Sequence, residues 1–176
     1  MRIIKFNLLG IRQFRSEIGS LFSRAGEAAI VIRAQPRLLV LRCPCGCDQD
    51  VAVNLDERAG RAWRMYQNTQ GVTLFPSVWR DTDCGSHFII WNNLIYLFSS
   101  RGEGLESAVE SSATSAAEVD RILSTLSTDQ FMSLDEIADR TGATPWDTLV
   151  ACRQLTRRGH LEEGFASAAA SFRLRK

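Results

Sequence analysis

From residue 28 to residue 98 the apolar positions fall in short blocks or alternate with polar ones, the two signatures of β-strands. Ala28–Arg33 and Arg37–Arg42 form two such runs, divided by Gln35-Pro36. Asp50–Leu55 alternates through Val51, Val53 and Leu55, and Trp63–Tyr66 and Val72–Phe75 add two shorter candidates. Phe88–Trp91 and Leu94–Phe98 read as a hairpin, because the Asn92-Asn93 pair between them tolerates the positive φ of a tight turn. Ahead of these strands, Phe14, Ile18, Leu21 and Phe22 recur at helical spacing and predict an amphipathic helix over residues 13–24.

After residue 98 the pattern changes. Residues 99–116 are small and polar and read as a linker. Beyond it the punctuation is helical. Ala117–Leu126 sets Val119, Ile122 and Leu126 on one face, and Ser133-Leu134-Asp135-Glu136 has the form of a capping box with a stop at Gly142. Thr144-Pro145 opens another helix as N-cap and first helical residue, ending near Arg158-Gly159. Leu161–Phe165 and Ser171–Leu174 then suggest a closing hairpin. Helix, helix, turn, helix, hairpin is the order of a winged helix-turn-helix. The expected class is α+β, with a β-rich domain over 1–98, a linker over 99–116 and a winged helix-turn-helix over 117–176.

Composition narrows the reading only by exclusion. The 176 residues are 45% hydrophobic and 23% charged with net charge +1, values of an ordinary globular chain rather than a disordered or supercharged one. No apolar run is long enough for a membrane helix. Met1–Phe6 lacks the apolar core of a secretory signal, so the expected location is cytoplasmic. From residue 117 onward there are eight basic and nine acidic residues. A duplex-binding domain normally shows a basic footprint, so DNA is a disfavoured partner and a protein partner is preferred. The bland alternative is that Arg153, Arg157 and Arg158 form a solvated face.

The five cysteines carry more chemistry. Three lie in Cys43-Pro44-Cys45-Gly46-Cys47, a fourth opens Cys84-Gly85-Ser86-His87, and Cys152 sits alone in a helical pattern as a small core residue. The count is odd and the spacing is not that of a disulfide framework. Two turns that bring thiols together suit tetrahedral Zn2+, which would staple a domain of modest core. The ligands are either Cys43, Cys45, Cys47 and Cys84, or a set in which His87 replaces one cysteine. A reduced cysteine loop without metal is the plain alternative.

The segment from Ser77 to His87 also concentrates nucleophile and base residue types. A serine nucleophile needs a base within reach and a group that orients the base. Ser86 and His87 are adjacent, so on a strand their side chains point to opposite faces. Ser77 can approach His87 if the chain doubles back, with Asp81 or Asp83 orienting the imidazole and the amides of the Cys84–Ser86 turn facing an oxyanion. His87 is therefore claimed twice, as ligand and as base. Both serines also fit a structural role satisfying turn backbone.

Three motifs in order, Cys43-Pro44-Cys45-Gly46-Cys47, then Pro76-Ser77-Val78-Trp79, then Cys84-Gly85-Ser86-His87-Phe88, resemble a small bacterial family, the BubE-like components encoded with bacterial ubiquitination-like systems. The resemblance covers roughly residues 28–98. It implies a serine-type peptidase acting on a ubiquitin-like protein, with Ser77, Ser86 and His87 as catalytic candidates and the four clustered cysteines as zinc ligands. The implied partners are the ubiquitin-like protein or its E1-like and E2-like enzymes. The winged helix lies outside the family pattern, and the alternative it raises is a non-enzymatic zinc-binding adaptor or transcriptional regulator.

Overall fold

A computed structural model describes residues 1–81, 84–98, 114–166 and 169–176, with backbone alone at 165, 166 and 169. The linker expected over 99–116 lies largely outside the described residues, as does Asp83. The chain divides into two compact units, Met1–Ser107 and Ala108–Lys176.

The first unit packs two sheets face to face. Strands β1 (Arg2–Lys5), β6 (Arg64–Asn68), β7 (Gly71–Trp79), β8 (His87–Trp91) and β9 (Leu94–Phe98) form one sheet in the order β1-β9-β8-β7-β6. Strands β2 (Asn7–Arg12), β3 (Glu27–Arg33), β4 (Gln35–Arg42) and β5 (Asp50–Asn54) form the other in sequential order. Leu39, Leu41, Leu74, Phe88 and Ile90, all essentially inaccessible, fill the space between them. Burying one such side chain contributes about 1.5–3 kcal/mol.

Two expectations are corrected here. The helix predicted over 13–24 is a single 3-10 turn, Arg15–Glu17, within an irregular crossover. The crossover is needed because β2 and β3 run parallel, so the chain must pass over a sheet face to return. Ile18 and Phe22 plug that face against Ala29, Val31 and Val40. The apolar spacing was real, but Ser16, Gly19, Ser20 and Ser23 between the plugs are poor helix formers. The second correction is the strand count: β1 and β2 were not foreseen, and the first unit has nine described strands and no described α-helix.

The covered face also explains the unbroken apolar texture of β3, where Ala28, Ala29, Ile30 and Val31 are all buried. A strand covered on both faces loses its alternation. The β8–β9 hairpin turns on Asn92 and Asn93 at φ 52° and 61°. The Asn93 amide oxygen accepts the Val72 N–H at 2.8 Å, which pins this turn to β7.

The second unit contains α1 (Ala116–Thr125), β10 (Met132–Ser133), α2 (Leu134–Thr141), α3 (Pro145–Arg157), β11 (Leu161–Ala166) and β12 (Ala169–Leu174). The helical punctuation has the expected residues in place. Ser133 and Glu136 form a reciprocal capping box, Gly142 takes φ 70° after α2, and Thr144 caps α3 ahead of Pro145. The three strands pair antiparallel in the order β10-β12-β11, with β10 too short to have been read from sequence. Ile122, Ile137, Leu155 and Phe172 form its innermost layer. Cys152 is fully buried, and burial pushes its thiol up to about 12, which makes it an inert core residue. No helix among the described residues is long and apolar enough to cross a membrane.

Candidate functional site

Two turns, one from each sheet, meet at one end of the first unit. The first joins β4 to β5. Cys43 donates its N–H to Gln49 O at 2.8 Å, and the turn inside this closure passes through Gly46 at φ 90° and Asp48 at φ 58°. Arg42 and Asp50, paired at 2.8 Å, brace its base, and the Arg2 guanidinium donates to Pro44 O. The second turn joins β7 to β8, held by Arg80 N–H to Ser86 O at 2.8 Å.

Together they place the sulfurs of Cys43, Cys45, Cys47 and Cys84 within 4.8 Å of one another. Cys43 Sγ lies 3.4 Å from Cys45 Sγ and 3.7 Å from Cys84 Sγ. A tetrahedral metal with bonds of about 2.3 Å needs sulfurs about 3.8 Å apart. The donor set thus fits, and the four cysteines can hold a metal ion.

The thiol acidities show the same demand. Burial raises Cys43. At Cys47 the Gln49 backbone favours the thiolate, but burial and the neighbouring thiols outweigh it and push the group up to about 12. At Cys84 burial opposes ionisation, yet hydrogen bonds from the Ser86 hydroxyl and N–H bring the thiol down to about 6. Four thiols this close cannot all ionise without a cation among them. Arg80 supplies part of that charge, with Nη1 at 3.5 Å from Cys84 Sγ and 3.8 Å from Cys47 Sγ.

Ser86 belongs to this cluster. It is buried, with Oγ 2.7 Å from Cys84 Sγ and 3.4 Å from Cys43 Sγ. The next residue, His87, opens β8 and is outside the sulfur cluster. Its ring stacks on Trp79, its cross-strand partner, at 5.4 Å and meets Phe98 at 4.9 Å. Burial lowers its pKa, so the imidazole is neutral near pH 7.

Ser77 sits in β7, half-buried, its carbonyl accepting the Trp63 indole N–H at 3.2 Å. Val78 beside it is buried in the core and Trp79 is exposed. His87 pairs directly with Trp79, and Ser77 lies two residues before that pair, inside the register shift between Leu74 and Val78. Asp81 is exposed just past β7, and His160 is exposed in the turn before β11. Sequence reasoning missed Trp79, Arg80 and Phe98. A cross-strand alignment of β7, β8 and β9 would have set Trp79 and Phe98 on either side of His87.

Residues 15–98 match the family described as bacterial ubiquitination-like system serine protease (BubE). No curated protein and no solved structure matches the chain. The matched span holds the cysteine turn, the Ser77 strand and the Cys84–His87 segment, and it supports a BubE-like assignment for this part of the chain.

Proposed function

We propose that the protein is a serine-type peptidase of a bacterial ubiquitination-like system, cleaving a peptide or isopeptide bond at the tail of the ubiquitin-like protein. The observation that carries this reading is the division of labour at residues 77, 86 and 87. Ser86 is turned to the sulfurs, leaving Ser77, two residues before the cross-strand partner of His87, as the other serine of the segment. Ser77 is the nucleophile and the neutral His87 the base. Ser77 Oγ passes its proton to His87 and attacks the carbonyl carbon, and His87 then protonates the leaving amine. Water, deprotonated by His87, releases the acyl group from Ser77. In this reading the Ser86 N–H is engaged by the Cys84 sulfur rather than by the oxyanion. A cleft of about 550 Å3 beside β6, lined by Pro36, Leu55, Trp63 and Met65 together with Asp56 and Arg58, meets β7 through the Trp63 indole bonded to the Ser77 carbonyl, and would seat the extended tail.

Zinc is the metal this donor set suits, and Cys43, Cys45, Cys47 and Cys84 would hold it. It holds the β7–β8 turn in place, and the acyl-transfer chemistry rests on Ser77 and His87. The second unit is a winged helix that docks protein rather than duplex DNA. Arg153 pairs with Glu163 at 3.3 Å and Arg173 with Glu162 at 2.7 Å, so two arginines that would face phosphates are neutralised within the unit.

The test is cleavage of a ubiquitin-like protein carrying a short C-terminal extension. Ser77→Ala and His87→Ala abolish turnover while retaining metal, and Ser86→Ala retains turnover at saturating zinc. Unchanged turnover in Ser77→Ala overturns the assignment. No turnover by the wild type on any tail, with zinc bound, favours the adaptor reading.

A further inference from the structure

Among the described residues seven large hydrophobic side chains are exposed, and five of them, Met1, Ile3, Leu9, Ile11 and Phe14, lie in the first fourteen residues. Their position in the fold gives this concentration its meaning. β1 is the outermost strand of the five-stranded sheet and β2 the outermost strand of the four-stranded sheet. Only Phe6, buried in the core, separates them, so the two strands run along one side of the sandwich. That side ends both sheets.

An outermost strand presents N–H and C=O groups that water or another strand must satisfy, and proteins usually guard such edges with charge, proline or a covering element. Among the described residues, β2 has no charge, proline or covering strand across its middle, Leu8-Leu9-Gly10-Ile11. Leu9 is 37% exposed and Ile11 55%. The strand carries one irregularity, a register shift between Leu8 and Ile11 with Gly10 at φ 137°.

Charge selects the occupant. The whole chain has net charge +1, yet residues 1–17 hold Arg2, Lys5, Arg12 and Arg15 against Glu17 alone. Arg2 is bonded to the Pro44 carbonyl and Arg12 to the backbone of Ile11, so neither has a carboxylate partner there. A second copy of this edge would bring like charges together along the seam. A basic segment would meet the same repulsion.

We infer that the β2 edge is a docking site for an extended segment of another protein, in which apolar residues alternate with acidic ones, added as a fifth strand to the four-stranded sheet. Main-chain hydrogen bonds to β2 supply affinity, Leu9, Ile11 and Phe14 supply the apolar contact, and Lys5, Arg12 and Arg15 read the acidic side chains. The inference is independent of the peptidase reading, since it uses no residue of the cysteine cluster and neither Ser77 nor His87.

The test is fluorescence anisotropy with the full chain and two labelled probes, one alternating Glu with Val and one alternating Lys with Val. The acidic probe is expected to bind, and to weaken as salt is raised. Ile11→Ser should weaken it at least about tenfold. Arg12→Glu with Lys5→Glu should transfer binding to the lysine probe. Lys5 and Ile11 are exposed and Arg12 is partly so, and an unchanged thermal melt shows the fold intact. Equal binding of both probes, absence of binding, or indifference to these substitutions overturns the inference. A dimer in solution that Ile11→Ser dissociates also overturns it, because the edge is then taken by a second copy.

Discussion

Ser86→Ala separates the two roles that adjacent residues 86 and 87 have been given. The hydroxyl lies 2.7 Å from Cys84 Sγ and 3.4 Å from Cys43 Sγ, and it is buried. A hydrogen bond to an ionised acceptor is worth about 1.5–3 kcal/mol. The shorter contact has that character, and the longer one adds little. Losing it should weaken zinc binding by roughly 10- to 100-fold, the range found when outer-shell partners of metal ligands are removed. The removed oxygen is small, so the fold persists when zinc is in excess. The assay is competition against a zinc-binding dye, with peptidase turnover measured at saturating zinc on the same preparations. Weaker zinc with retained turnover is the expected pair of results. Normal zinc affinity together with lost turnover would refute the reasoning, because Ser86 would then be the nucleophile and its place among the sulfurs incidental.

His87 is half-buried and its pKa is lowered by that burial, so turnover should rise with pH at acid values and level off below 6.5. The same depression makes the unfolded chain bind the proton more readily, so the His87 contribution to stability is full above about 6.5 and falls as pH drops below it. Acid melts of wild type and His87→Phe should diverge only in that range. Gly71→Ala would put a Cβ 2.5 Å from the Asn93 side chain, which is already committed to Val72 N–H, at φ 131°. A loss of about 2–3 kcal/mol in a denaturant titration is expected, whereas a neutral result would show the hairpin is free to shift. Ser133→Ala removes the capping box of α2 and should cost about 1 kcal/mol, confined to the unfolding of the second unit. A strong chelator should lower the melting of the first unit and leave the second unchanged.

The elements legible in the sequence were those whose signals are local. The Asn92-Asn93 turn, the Ser133 box and the Thr144-Pro145 start each depend on a few adjacent residues, and each is found in place. The gathering of the cysteines was legible because thiols in two short turns have few other uses. What escaped depended on distant partners. β1 and β2 lie at the sheet edges, where only Ile4 and Leu8 pack on the core while Ile3, Leu9 and Ile11 are exposed, so the buried periodicity that would mark them is weak. Residues 14–22 have helical spacing for a different reason, since the same intervals place plugs along a parallel crossover. The site showed the same limit: Ser77 and His87 were named, but which serine faces the imidazole depends on the pairing of β7 with β8.

The pairing of β1 with β9 sets the order in which this unit can assemble. Arg2 is opposite Leu97 and Lys5 opposite Leu94, so the two strands are separated by almost the whole unit. Such a contact carries a large loop-closure entropy and raises the contact order of the fold. During synthesis β1 emerges long before its partner exists, and the four-stranded sheet can form while it waits. The cysteine turns tie residue 43 to residue 84 across the interval and shorten the remaining search. Loop-closure entropy thus favours seating β1 after β9 is in place, which completes the five-stranded sheet.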